Sequence, residues 1–80
     1  MSTASAVSAR ILELCKQKGI TVNPLSTRSA VRQSTVNDIV SGKTKNAGIV
    51  TIKKLCDGLD ISLSDFFATD AFRNLEQEIK

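Results

Sequence analysis

The sequence predicts an all-α domain of five or six short helices, and three observations lead there. Apolar residues recur at i, i+3, i+4 and i+7 in segment after segment, the period of an amphipathic helix rather than of a strand. Helix-starting and helix-stopping residues stand at the ends of those segments: Gly19, Pro24, Gly42 and Ser62. The 80 residues, 41% apolar and 24% charged, suffice for one small core and leave no room for a second domain. There is no internal repeat, linker or low-complexity stretch, so residues 1–80 read as one domain.

The first helix is expected over residues 6–18, where Val7, Ile11, Leu14 and Cys15 make one stripe and Gly19 ends it. A second, short helix starts between Thr21 and Asn23, takes Pro24 in its first turn, and runs to Ser29 with Leu25 inward. After a tight connection at Ser29-Ala30-Val31, a third helix covers residues 32–41. There Val36, Ile39 and Val40 form the apolar stripe and Gly42 stops it. A strand is conceivable among so many β-branched residues, but the 3.6-residue period favours helix. Residues 43–48 form a basic loop. A fourth helix runs over 49–59 with Ile49, Ile52, Leu55, Cys56 and Leu59 inward, and Asp60 takes the left-handed position after it. Ser62 and Asp65 fit a capping box that opens a short helix burying Leu63, Phe66 and Phe67. A last helix is expected from Thr69 or Asp70 to Lys80, with Phe72, Leu75 and Ile79 on one face.

The inventory excludes much chemistry. With no histidine, neither a Ser-His-Asp triad nor a four-ligand cysteine/histidine zinc site can be assembled. No paired carboxylate, metal cluster or activated nucleophile is visible, so the expectation is a non-enzyme without a cofactor. Cys15 and Cys56 read as buried thiols, with a disulfide left open. Residues 1–10 lack the pattern of a signal peptide and no apolar stretch is long enough for a membrane span, so a cytoplasmic protein is expected. The net charge of +3 is unevenly placed. Residues 1–54 carry nine basic and two acidic side chains, whereas residues 55–80 carry two basic and six acidic. A basic body with an acidic end suits a polyanion on one face, although uneven charge on a solvated surface reads the same way.

The informative stretch is 21–46. Two short helices are joined by about three residues, and the second has a continuous polar face. Ser34, Asp38 and Ser41 lie opposite its stripe, Asn37 lies to one side, and Gln33 projects from its N-terminal end. A basic loop follows. A major-groove reader is built this way: one helix inserts its N-terminal polar residues while flanking segments hold phosphates.

These residues resemble the Cro/phage-repressor type of helix-turn-helix regulators, the XRE family, over residues 8–67. The matching pieces are Thr21-x-x-x-Leu25-Ser26, Ser29-Ala30-Val31, Gln33-Ser34-Thr35-Val36 and Ser41-Gly42-Lys43-Thr44-Lys45-Asn46. Thr51 to Cys56 and Leu59 to Phe67 match the fourth helix and the entry to the fifth. The resemblance implies a lambda-repressor-like fold and a small transcriptional regulator, bacterial or phage-borne, that binds a double-stranded DNA operator as a homodimer. It implies Gln33 and Ser34 as base readers, with Asn37 and Asp38 one turn on. It implies Thr21, Lys43, Thr44, Lys45 and Asn46 as phosphate contacts, with Arg10, Arg28 and Arg32 as weaker candidates. The chain departs from the family pattern at Ala30, where Gly is usual, at Arg32, where Ser or Thr caps the helix, and at Ser26, where Ala is usual.

The competing reading is a protein-interaction module, such as an antitoxin that neutralises a partner protein or a lock on another regulator. Its motivating feature is the acidic, apolar helix expected over 70–80, which is equally a candidate dimerisation face. RNA binding is disfavoured, because the three phenylalanines sit far from the basic half and offer no stacking platform.

Overall fold

The computed structural model describes residues 1–79. It contains six helices among the described residues: α1 (Thr3–Lys18), α2 (Val22–Ser29), α3 (Gln33–Val40), α4 (Ile49–Leu59), α5 (Leu63–Phe67) and α6 (Asp70–Arg73). One core unites them. Ile11 from α1, Leu25 from α2, Val36 from α3, Leu55, Cys56 and Leu59 from α4, and Phe66 from α5 are its most completely buried side chains. Each Leu, Ile or Phe so buried contributes about 1.5–3 kcal/mol. α2 packs most extensively on α4, and α1 lies across α3. No described helix is long and apolar enough to cross a membrane.

Three helices end by one device. The residues after α1, α2 and α4 (Gly19, Ala30 and Asp60) all take the left-handed conformation, with φ of 67°, 54° and 59°. The N–H of the next residue then reaches back to a carbonyl five positions earlier: Ile20 to Cys15, Val31 to Ser26 and Ile61 to Cys56, at 3.0–3.1 Å. Each of those next residues is an apolar β-branched one that packs against the core. This is the Schellman pattern. Only the first instance uses Gly. At Ala30 and Asp60 a Cβ sits where the left-handed backbone crowds it, costing roughly 1–2 kcal/mol each.

Gly58 has a different task. A Cβ built there would lie 2.0 Å from Ser29 Oγ and 3.2 Å from the Ser29 backbone nitrogen, so α2 and α4 pack as closely as they do because the position is bare. The Ser29 hydroxyl is buried in this contact, and among the described residues it meets no hydrogen-bond partner.

Four expectations need correction. Ile49 is 58% exposed: it opens the first turn of α4, and the inward stripe begins one turn later at Ile52. Leu63 and Phe67 are only half-buried, because a five-residue helix turns a single side chain, Phe66, fully inward. Arg32 and Ser41 flank α3 rather than extend it. The helix expected over 70–80 is one turn, Asp70–Arg73, and Lys80 lies outside the described residues. Two causes are visible. Glu76 and Glu78 would place negative charge towards the carbonyl end of a longer helix, where the dipole disfavours it. Ile79, meant for the buried face, is 86% exposed and has nothing to pack on. Phe72 packs inward instead, its ring 4.9 Å edge-on from Phe67 and 6.0 Å from Phe66. The acidic docking helix that motivated the protein-interaction reading is therefore absent among the described residues. Cys15 and Cys56 are buried free thiols, and burial pushes both up from the ordinary thiol range.

Candidate nucleic-acid interface

α3 has eight residues, too few for a stable helix on its own. Val36 and Ile39 hold it, both fully inward, with Val40 half-buried beside them. Ser8 adds a polar tie, its hydroxyl within reach of the Ile39 carbonyl at 2.5 Å and of its own helix at Ala4 O, 3.1 Å. α1 thereby fixes the C-terminal end of α3 and leaves the N-terminal end outward.

At that outward end Gln33 and Ser34 are exposed, and Asn37 is exposed one turn further. Arg32 precedes them at φ -58° and ψ 139°, exposed, and its side chain makes no capping bond to the helix. Asp38 does not stand fully outward as its angle predicts. It is half-buried, because the loop after α3 folds back over it: the Thr44 N–H donates to the Asp38 carbonyl at 3.0 Å, and Ser41 Oγ at 3.3 Å. This return, with Gly42 at φ 82°, brings Lys43, Lys45 and Asn46 out as exposed side chains and leaves Thr44 half-buried.

Thr21 stands before α2 in extended backbone, and its hydroxyl makes no capping bond. Pro24, inside the first turn, carries no N–H. The donors left at this end are the N–H groups of the first residues, directed along the helix axis where an anion is favoured, and the Thr21 hydroxyl beside them. Among the described residues Arg28, Arg32, Lys43 and Lys45 form no ion pair. Their charge is open to a ligand.

Arg10 is different. Its guanidinium donates from Nε to Phe66 O and from Nη2 to Asp65 O, both at 2.8 Å, and Nη1 pairs with Glu13. The side chain is 14% exposed. It fastens α1 to the end of α5 with three of its five N–H donors, so the structure gives it a role in the fold besides the phosphate contact expected of it. The roles of Ser8 and of the Ser29–Gly58 approach left no mark in the sequence pattern, since a Ser or Gly within a helix reads as neutral.

Comparison with known proteins places this geometry. Residues 10–71 match the family described as the Cro/C1-type HTH DNA-binding domain. The crystal structure of the prophage Lp1 protein 11 superposes with a TM-score of 0.81 at 37% identity, covering 94% of this chain and 100% of that one. A point mutant of the restriction-modification controller protein C.Esp1396I gives 0.76 at 26% identity, covering 84% and 86%. The wild-type controller gives 0.81 at 24% identity, covering 98% and 100%, a likeness of fold. No curated protein matches the chain.

Proposed function

The chain belongs to the Cro/C1-type helix-turn-helix DNA-binding family, and we propose that it is a regulator that reads a duplex operator in the major groove with α3, acting as a homodimer. DNA binding for transcriptional control is the function of the family, which is a regulator type and not an enzyme family. One observation carries the finer reading. The exposed N-terminal residues of α3 come between two phosphate-suited elements along the chain, the uncapped start of α2 and the loop 43–46, whose lysines form no ion pair among the described residues.

The chemistry follows from the side chains. The Gln33 amide both donates and accepts, which suits paired bonds to the N6 and N7 of an adenine. Ser34 serves as donor or acceptor to either strand's base edge. Asn37 reaches the next step. Asp38 accepts from a cytosine amino group and repels any phosphate placed there. Thr21, with the N–H groups opening α2, takes one phosphate; Lys43, Thr44, Lys45 and Asn46 take the backbone on the other side of α3. Arg28 and Arg32 extend the positive surface. Arg10 is left out, since its side chain is 14% exposed and three of its donors are committed within the fold.

A single copy reads half a site and binds weakly, so two copies on a two-fold-related operator are the economical arrangement. Such a protein works where DNA is, in the cytoplasm of a bacterial cell. The reading is tested by fluorescence anisotropy with duplex DNA from upstream of its own coding sequence beside a scrambled duplex, each at two salt concentrations. Tight, salt-sensitive binding that prefers the upstream DNA, with two protomers per duplex, supports it. Equal weak binding to both would overturn sequence reading.

A further inference from the structure

The acidic segment after α6 runs back across the molecule to the N-terminal end of α1. There Thr3 Oγ1 donates to Glu78 Oε2 at 2.7 Å, a contact between residues 75 positions apart. Ser2, Thr3, Ala4, Lys45, Asn46 and Glu78 line one open cleft. The carboxylate of Glu78 thus shares a cleft with two residues of the loop assigned above to the DNA backbone. α1, a 16-residue helix, has no acidic residue of its own in its first turn, so Glu78 supplies the negative charge that this end favours.

We propose that Glu78 stands in for a DNA phosphate and restrains binding: with the segment docked, its carboxylate competes for the Lys45–Asn46 edge of the interface, and duplex DNA must displace it. The inference rests on the reading of residues 43–46 as phosphate contacts. The charge balance fits. A carboxylate lining the same cleft as Lys45 lowers the potential that this lysine presents to a polyanion. The segment is also easy to displace. Residues 74–79 form no helix, Leu75 is its only half-buried side chain, and the Thr3 bond is exposed. The acidic end of the chain then acts on the basic body instead of merely facing away from it.

Four substitutions in the full chain test this, each measured by anisotropy on specific and scrambled duplexes at one salt concentration, with thermal melts confirming the fold. Thr3→Val removes the donor without changing net charge. Glu78→Gln removes the competing charge. Glu76→Gln removes an equal charge from an exposed side chain outside the cleft. Thr3→Val and Glu78→Gln are expected to tighten both duplexes by about three- to five-fold, the scale of one exposed ion pair, and Glu76→Gln by less than about two-fold. In a Lys45→Ala background the gain from Glu78→Gln disappears. If Thr3→Val leaves affinity unchanged, or Glu78→Gln does no more than Glu76→Gln, the restraint is wrong while the loop assignment stands. If Lys45→Ala alone fails to weaken binding, the loop assignment is wrong and the restraint falls with it.

Discussion

Two basic side chains that the charge pattern treats alike stand in opposite settings. Arg10 donates to Phe66 O and Asp65 O, whereas Lys43 is exposed and unpaired among the described residues. Arg10→Gln should therefore cost about 2–3 kcal/mol in a urea titration, since hydrogen bonds from a charged donor are each worth about 1.5–3 kcal/mol. Lys43→Ala should leave the urea midpoint unchanged, weaken every duplex alike, and lower the salt slope by about one. Finding Arg10→Gln at full stability but with reduced DNA affinity would return Arg10 to the interface. The difference was illegible in the sequence for a physical reason. The carbonyls that claim Arg10 lie 55 and 56 positions away, and no local pattern announces a long-range partner. Gln33 and Ser34 were legible because their placement depends only on a helix start and a stripe two or three residues later.

At the scale of the element, the helix ends decide how firmly the interface is built. Ala30 sits at φ 54° in the connection between α2 and α3, where Gly has no Cβ to crowd. Ala30→Gly trades that strain against the greater freedom of Gly in the unfolded chain, and a net gain of about 0.5–1 kcal/mol is expected in a urea titration. A loss would mean that the Ala30 methyl group makes packing that outweighs the strain. The α2–α4 contact gives a second prediction, from a double-mutant cycle. Gly58→Ala should destabilise strongly beside Ser29 and much less in a Ser29→Ala background, because the clash at 2.0 Å is with the Ser29 hydroxyl. Additive effects would place the clash elsewhere. Helix periods were readable wherever a face is buried: α1 follows its stripe closely, and α4 follows its own from Ile52 onward, Ile49 excepted. Period failed at α6, where Phe72, Leu75 and Ile79 have helical spacing but Ile79 has no core to meet. A stripe predicts a helix only when something covers it.

The whole molecule is built on one core, and its thiols report on that core. Burial keeps Cys15 and Cys56 protonated in the fold, above their ordinary range. The folded state therefore holds protons that the unfolded chain releases. Their contribution to stability is complete below the unfolded thiol pKa of about 8.5 and is lost as pH rises past it. Melting temperatures should fall more steeply above about pH 9 for the native chain than for Cys56→Ala; equal slopes would mean that the Cys56 thiol ionises as readily in the folded chain as in the unfolded one. The fold class, the order of the helices and the exposed polar end of α3 were all legible, because one family pattern and one periodicity specify them. The path of residues 74–79 back to Thr3 was not, since it rests on a single contact between chain ends. The measurement that bears most directly on the central claim is the affinity of Gln33→Ala for the operator and for a panel of operators each changed at one base pair. The account predicts a loss of about 1–3 kcal/mol on the operator, with preference erased at one base pair and kept at the others. An equal loss on every duplex, or none, would contradict the assignment of α3 as the element that reads the sequence.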